Sequence, residues 1–155
     1  MTYVRPLLEY CSSVWSPCTV TGVNKIESVQ RQFTKKLPGL WDLSYDHRLS
    51  VLGLERLELR RLHFDLVWCF KIVKHLVDIP FDSLFVYSDV KSTRGHHLKL
   101  TLPDSRLNAR SNQFAVRVVP HWNKLPDSIV SLHCLYKFKR AIKQTDFSDV
   151  LVGKS

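Results

Sequence analysis

The run Leu54-Glu55-Arg56-Leu57-Glu58-Leu59-Arg60-Arg61-Leu62-His63-Phe64-Asp65-Leu66-Val67-Trp68-Cys69-Phe70-Lys71-Ile72-Val73-Lys74-His75-Leu76-Val77 decides the fold class. Leu59, Leu62, Leu66, Phe70, Val73 and Val77 recur at helical spacing and make one apolar face. Leu57, Phe64, Trp68 and Ile72 make a second face, so the spacing predicts a helix packed on two sides. Between the faces runs a polar strip of Arg56, Arg60, His63, Lys71 and Lys74. At the rise of an α-helix this strip covers roughly 27 Å. A helix with two apolar faces needs neighbours on both, and the flanking segments read as helices too.

Upstream, Pro6 suits the first turn of a helix, where its missing N–H is no loss. Leu7, Tyr10, Cys11 and Val14 follow at helical spacing, Leu8 and Trp15 widen the face, and Pro17 ends it. A second helix is expected from Val23 to Lys36, with Ile26, Val29, Phe33 and Leu37 inward. Arg31 and Lys35 lie opposite that stripe, and Lys25 and Lys36 flank it. Leu37-Pro38-Gly39 then breaks the chain. Ser44 caps a short helix through Leu52, and Gly53 stops it.

Downstream of Pro80 the pattern loosens. Phe81 to Val90 is apolar but irregular, and Lys91 to Gly95 reads as an exposed basic loop. Leu98, Leu100 and Leu102 alternate with polar residues, a weak strand signal. Asn112 to Asn123 reads as helix despite Pro120, and a last helix runs from about Ser131 to Lys143 with Leu135, Phe138 and Ile142 inward. From Val150 on, a frayed end is expected. Leu-Pro-Asp-Ser occurs at 102–105 and again at 125–128, a turn-to-helix device used twice. The expected architecture is mainly α: a helical bundle over residues 1–77, then a less regular region over 78–155, packed on the first, with one or two helices and a short strand pair.

Composition narrows the function classes. Apolar residues make up 45% and charged residues 24%, which excludes wholesale disorder. The longest apolar run is Leu66 to Phe70, far short of a membrane span. Arg5 and Glu9 interrupt the only apolar stretch near Met1, so no signal peptide is read there and an intracellular location is expected. The 23 Lys+Arg against 14 Asp+Glu leave a formal charge of +9, which favours a polyanionic partner. That excess is spread evenly: eleven cations against seven acids in residues 1–77, twelve against seven in 78–155.

Catalytic signatures are missing from the sequence. Five glycines form no phosphate loop and no nucleophile elbow. A two-metal polymerase site needs shared carboxylates for cations about 4 Å apart, and no two acidic residues are adjacent. Cys11, Cys18, Cys69 and Cys134 have no metal-ligand spacing and read as reduced thiols, two or three of them buried. Asp42, Asp46 and His47 are explained by capping around Ser44. The sequence therefore implies no cofactor, no metal and no small-molecule substrate. The basic helix faces remain: Lys25, Arg31, Lys35 and Lys36 on one helix, Arg56, Arg60, Lys71 and Lys74 on another. A row of cations can follow phosphates along a nucleic-acid backbone and release counterions.

One stretch carries more than helix rules explain. Val4-Arg5-Pro6-Leu7-Leu8-Glu9-Tyr10-Cys11-Ser12-Ser13-Val14-Trp15 resembles the C-terminal part of jockey-like reverse transcriptases of non-LTR (LINE) retrotransposons. The resemblance continues through Ile26 to Lys35, Leu37-Pro38-Gly39-Leu40, Leu52-Gly53-Leu54 and Leu59-Arg60-Arg61. It closes with Arg94-Gly95-His96, Phe114, Arg117, Trp122-Asn123-x-Leu125-Pro126 and Phe138-Lys139. It spans nearly the whole chain; Arg5-Pro6 through Glu9-Tyr10, with Trp15, and the Trp122 to Pro126 run are its most specific parts.

The resemblance implies that the first helices are thumb-like and that the region follows a polymerase palm. A thumb holds RNA or an RNA–DNA duplex through its backbone, which would make Arg31, Lys35 and Lys36 backbone contacts, with Arg56, Arg60, Arg61 and Arg94 behind them. Arg117 is read either way, Trp122 as a core anchor and Asn123 as a capping amide. Fingers, palm and catalytic aspartates are missing, so the chain alone is not expected to be an enzyme, and its parent's palm is an expected partner. Two further readings stand beside this one. The first helix, with Leu7, Leu8 and Val14 as an exposed patch, would dock another protein; or the chain is a decayed mobile-element reading frame.

Overall fold

The computed structural model describes residues 4–17, 19–89, 95–102 and 113–153. The fold is mainly α. In chain order it runs α1 Val4–Glu9, α2 Ser12–Trp15, α3 Val20–Lys35, α4 Tyr45–Leu52, α5 Leu57–Val73, α6 Phe114–Lys124, α7 Asp127–Val130 and α8 Leu135–Gln144, with 3-10 turns at Phe81–Ser83 and Ser148–Val150. Helix α5 lies at the centre. It packs against α2 and α3 on one side and against α6 and α8 on the other.

The larger core forms where α5 meets α6 and α8. Leu66, Phe70, Ile72 and Val73 of α5 are buried with Val118, Val119 and Trp122 of α6 and Phe138 and Ile142 of α8. Phe70 and Phe138 stack at 4.2 Å between centroids, an offset aromatic pair. Pro120 stands inside α6 without breaking it. The ring is exposed, and the inward residues Ala115, Val118, Val119 and Trp122 bury enough to outweigh the lost backbone bond.

Helix ends follow the expected chemistry in part. Ser44 Oγ accepts from His47 N, and Gly53 takes the left-handed conformation at φ 60° that ends α4. Helix α5 stops at Val73 rather than Val77. His75 turns left-handed at φ 51°, and Leu76 N donates to Lys71 O at 2.8 Å. That turn brings Phe81 and Phe85 back onto the core. The expected strand pair is one antiparallel bridge, Tyr87 to Leu100. The first Leu-Pro-Asp-Ser copy and the basic loop before Gly95 lie outside the described residues; the second copy opens α7.

Several inward faces differ from the expected ones. In α1 and α2 Leu7, Tyr10 and Val14 are turned out, each more than three-quarters exposed, as the docking reading expects of Leu7 and Val14, while Leu8 is half-buried. Cys11, at φ 51°, breaks the helix, and the buried side carries Ser12 and Ser16 instead. In α3 the buried residues are Val23, Glu27, Gln30 and Thr34, while Val29 faces out. In α5, Phe64 and Trp68 are exposed and His63, Arg61 and Asp65 are buried. Cys11 and Cys134 are exposed and Cys69 is buried; Cys18 lies outside the described residues.

The reason for the shifted α3 face is polar. Arg56, the N-cap residue of α5, supplies no side-chain acceptor for the first amides. Glu27 does so from α3: its carboxylate accepts from Leu57 N at 3.1 Å and from Glu58 N at 3.3 Å. The Tyr45 hydroxyl donates to the same carboxylate and accepts from Gln30 Nε2 at 3.0 Å. Burial, first, and the Glu27 carboxylate push that hydroxyl well above its ordinary pKa. Thr34 Oγ1 accepts from Arg48 Nε at 3.2 Å.

The chain end repeats the device. Glu58 accepts from Val152 N at 2.7 Å and Gly153 N at 3.0 Å, and Arg56 Nη1 donates to Gly153 O at 2.8 Å. Residues 150–153 are thus tied to the start of α5, where a frayed end was expected. A Cβ on Gly153 would lie 2.9 Å from both Glu58 Oε2 and Val23 Cγ1, so only glycine fits.

Glu27→Ala removes three hydrogen bonds from buried groups and uncaps α5. It should cost about 2–4 kcal/mol in urea unfolding, with Glu27→Gln losing less because one carbonyl acceptor remains. An alanine variant within about 0.5 kcal/mol of the parent would show that the α5 terminus does not need this carboxylate.

Candidate nucleic-acid interface

The cations singled out from the sequence separate into three groups. Lys25, Lys35 and Lys36 stand exposed on α3 or at its C-terminal end, available to solvent. Arg60 and Lys71 reach a groove described below. Four others are built into the fold.

Arg117 is one of these. Its Nε donates to Asp65 Oδ2 at 2.8 Å and its Nη2 to Ser13 O at 2.9 Å, joining α6 to α5 and α2. Arg56 grips Asp46 through Nε at 3.0 Å and Nη2 at 2.7 and 2.8 Å, besides its bond to Gly153. Arg61 is 2% exposed and Arg31 is half-buried over the Tyr45 ring at 5.0 Å. Burial holds the Arg61 guanidinium below its ordinary pKa. Arg56 and Arg117 are held by these bonds and Arg61 by burial, which gives them scaffold roles, while Arg31 is held only by its contact with the Tyr45 ring. Lys74 ends α5 half-buried, its Nζ 6.0 Å from the Phe70 ring. Arg94 lies outside the described residues.

The structural motifs also resolve. Pro6 sits in the first turn of α1. Glu9 receives Arg60, and Trp15 Nε1 donates to Tyr10 O at 2.6 Å. Trp122 is fully buried, with Nε1 donating to Leu98 O at 2.8 Å, while His96 Nε2 lies 3.0 Å from Trp122 O. Asn123 is not a helix cap. Its amide pairs with the backbone of Leu100, accepting from N at 2.9 Å and donating to O at 2.8 Å. Trp122 and Asn123 together hold 96–100 against α6, and Pro126 O accepts the first bonds of α7.

The groove runs between α5 and α8, with a volume of about 380 Å3. Arg60, His63, Phe64, Trp68 and Lys71 line one wall, Lys139, Ile142 and Lys143 the other, and Glu55 closes one end. Arg60 is spoken for: Glu9 accepts from its Nε and from Nη2 at 2.9 Å, and Glu55 lies 3.7 Å from Nη1. The hydrogen bond to Glu9 raises its pKa further. Lys71 lies 4.6 Å from the Trp68 ring centroid, a cation–π contact. Lys139 and Lys143 are exposed and form no ion pair among the described residues. The groove therefore carries three ammonium groups, Lys71 resting on the Trp68 ring and Lys139 and Lys143 exposed, beside two partly exposed aromatic rings.

Phe64 and Trp68 had been expected inside the bundle and Lys139 only as part of a motif. A strongly amphipathic α8, with Lys137, Lys139, Arg140 and Lys143 around one apolar stripe, was the sequence signal for the second wall. Among the described residues no group of His, Cys, Asp and Glu is placed to hold a metal ion, and no helix is long and apolar enough to cross a membrane. The arrangement defines a helical protein with a cationic, aromatic-floored groove. The chain matches no protein-family model, no curated protein and no solved structure.

Two titrations follow from the buried groups. Burial lowers the pKa of His63, His96 and His121, so the unfolded chain takes up protons first as pH falls. Stability should decline from about pH 7 to pH 5, the window below the unfolded histidine pKa of about 6.5; a flat profile there would contradict the lowered pKa of these imidazoles.

Asp65 is raised by burial, with Arg117 opposing that rise. Arg117→Met should cost about 3–5 kcal/mol near neutral pH by leaving that carboxylate unpaired. Without Arg117 the Asp65 carboxyl rises further and protonates at higher pH. The gap to the parent should therefore narrow in urea melts as pH falls toward 4.

Proposed function

We propose that this chain is the tail of a jockey-like non-LTR retrotransposon reverse transcriptase, without the palm, that keeps sequence-independent affinity for nucleic-acid backbone. The observation that carries the reading is the groove between α5 and α8, which Lys71, Lys139 and Lys143 line together and in which Glu55 is the one acidic side chain among the described residues that line it. The mainly helical fold is compatible with a thumb-like ancestry. So is the convergence of the closing motifs, since Trp122 and Asn123 bind the segment that contains His96.

RNA strands at the groove, and an RNA–DNA duplex along the open lysines of α3, are the proposed partners. Lys25, Lys35 and Lys36 on α3 offer a second cationic strip. Phosphate contacts hold a strand in place and carry no base information, so binding is expected to be indifferent to sequence. No catalysis is proposed for the chain by itself, because the residues that would form a polymerase metal site belong to a palm.

A second reading, docking to another protein, is favoured by the exposure of Leu7, Tyr10 and Val14 on α1 and α2. A strictly monomeric species in light scattering would weigh against it.

Binding to a labelled RNA in fluorescence anisotropy should fall steeply between about 50 and 200 mM salt. The double charge reversal Lys139→Glu with Lys143→Glu should reduce affinity at least about tenfold for every sequence tried. Salt-independent binding, or a double variant that binds as the parent does, would refute the groove as the site.

A further inference from the structure

Phe64 and Trp68 stand one turn apart on α5 and are 37% and 39% exposed. Both line the groove, and both also line a second hollow of about 280 Å3 shared with Glu9 and residues 11–14. They form an aromatic ridge between two open spaces. The cations beside them are arranged along the same helix face: the Arg60 guanidinium lies 5.5 Å from the Phe64 ring and the Lys71 ammonium 4.6 Å from the Trp68 ring. Phosphate binding alone needs the ammonium groups and has no use for the ridge. Two large aromatic side chains left in water at the floor of a cationic groove call for a ligand that has both charge and a π-face.

Duplex and single strand differ on this point. A duplex turns its phosphates outward and keeps its base faces inside the stack, beyond the reach of a groove floor. An unpaired strand presents phosphates and base faces on the same few ångströms of chain. The groove volume of about 380 Å3 falls in the range of pockets that enclose one small ligand, about 300–1,000 Å3. That is room for a single nucleotide, and a double helix is far wider.

Resting on the backbone-binding reading above, we propose that the groove takes single-stranded nucleic acid, with one unpaired base stacked on Trp68. Lys71 moves off the Trp68 ring face that the base takes, and with Lys139 and Lys143 it holds the phosphates on either side of that base. Phe64 continues the ridge toward the hollow and supports the neighbouring base. Stacking is indifferent to the sugar, so single-stranded RNA and DNA are bound alike.

The test is fluorescence anisotropy of the full chain with three labelled probes of equal strand length, about ten nucleotides: an oligouridylate, an oligothymidylate and a duplex. Both single strands should bind at least about fivefold more tightly than the duplex, and Trp68→Ala should weaken them about tenfold while Trp68→Phe keeps most of the affinity. The salt slope for a single strand should be near −2, the value for about three phosphates. An oligothymidylate with abasic positions probes the same contact without altering the protein: it should bind the parent as weakly as the intact strand binds Trp68→Ala.

Equal affinity for duplex and single strands, or abasic strands bound as tightly as intact ones, overturns the stacking proposal. If Lys139→Glu with Lys143→Glu still abolishes binding in that case, the backbone reading stands alone. If the double charge reversal leaves binding unchanged, both fail.

Discussion

A buried carboxylate on one helix holds the beginning of another, and much of the molecule is arranged around that contact. Glu27 of α3 is 2% exposed and accepts from the first two amides of α5 and from the Tyr45 hydroxyl of α4. The free N–H groups at a helix start carry a partial positive charge, so an anion there is favoured electrostatically as well as by hydrogen bonding. A single side chain thereby sets the relation of three helices. Glu58, one residue into α5, then receives Val152 N and Gly153 N, so that segment is tied to the same place.

With its start held in this way, α5 has two different tasks along its length. Its deep side supplies Leu66, Phe70, Ile72 and Val73 to the core with α6 and α8. Its outer side carries Arg60, Phe64, Trp68 and Lys71 at the edge of the groove. The arginines beside it are largely consumed in fastening elements together. Arg117 joins three helices through Asp65 and Ser13, and Arg56 joins Asp46 to the chain end. The lysines stay outside. Guanidinium groups form planar, multidentate bonds that suit scaffold roles, whereas ammonium groups on flexible stems remain hydrated and free for a mobile polyanion.

Local chemistry made part of this legible beforehand. The cap and stop of α4, the existence of α5, α6 and α8, and the burial of Trp122, Phe138 and Ile142 follow from spacing, Ser44 and Gly53. The α3 face was misread because hydrophobic periodicity ranks Ile26 and Val29 above Glu27, Gln30 and Thr34. Those polar residues go inside because their partners, the α5 amides, Tyr45 and Arg48, come from elsewhere in the chain. The same cause hid the burial of Arg61, which looks like a surface cation until the fold surrounds it, and left Arg117 open between contact and scaffold until Asp65 and Ser13 met it.

The sequence by itself determined the helical class, the positions of most helices, the even spread of the +9 charge and the aromatic anchors of the core. These depend on residues within a few turns of one another, where 3.6-residue periodicity and cap preferences operate. Tertiary structure alone decided which cations are scaffold and which are available, that Phe64 and Trp68 face solvent, and that α5 and α8 meet as the walls of a groove. Those outcomes rest on contacts between residues far apart in the chain, such as Arg117 with Asp65 and Phe70 of α5 with Phe138 of α8. No local pattern encodes the partner that a charged or aromatic side chain will meet.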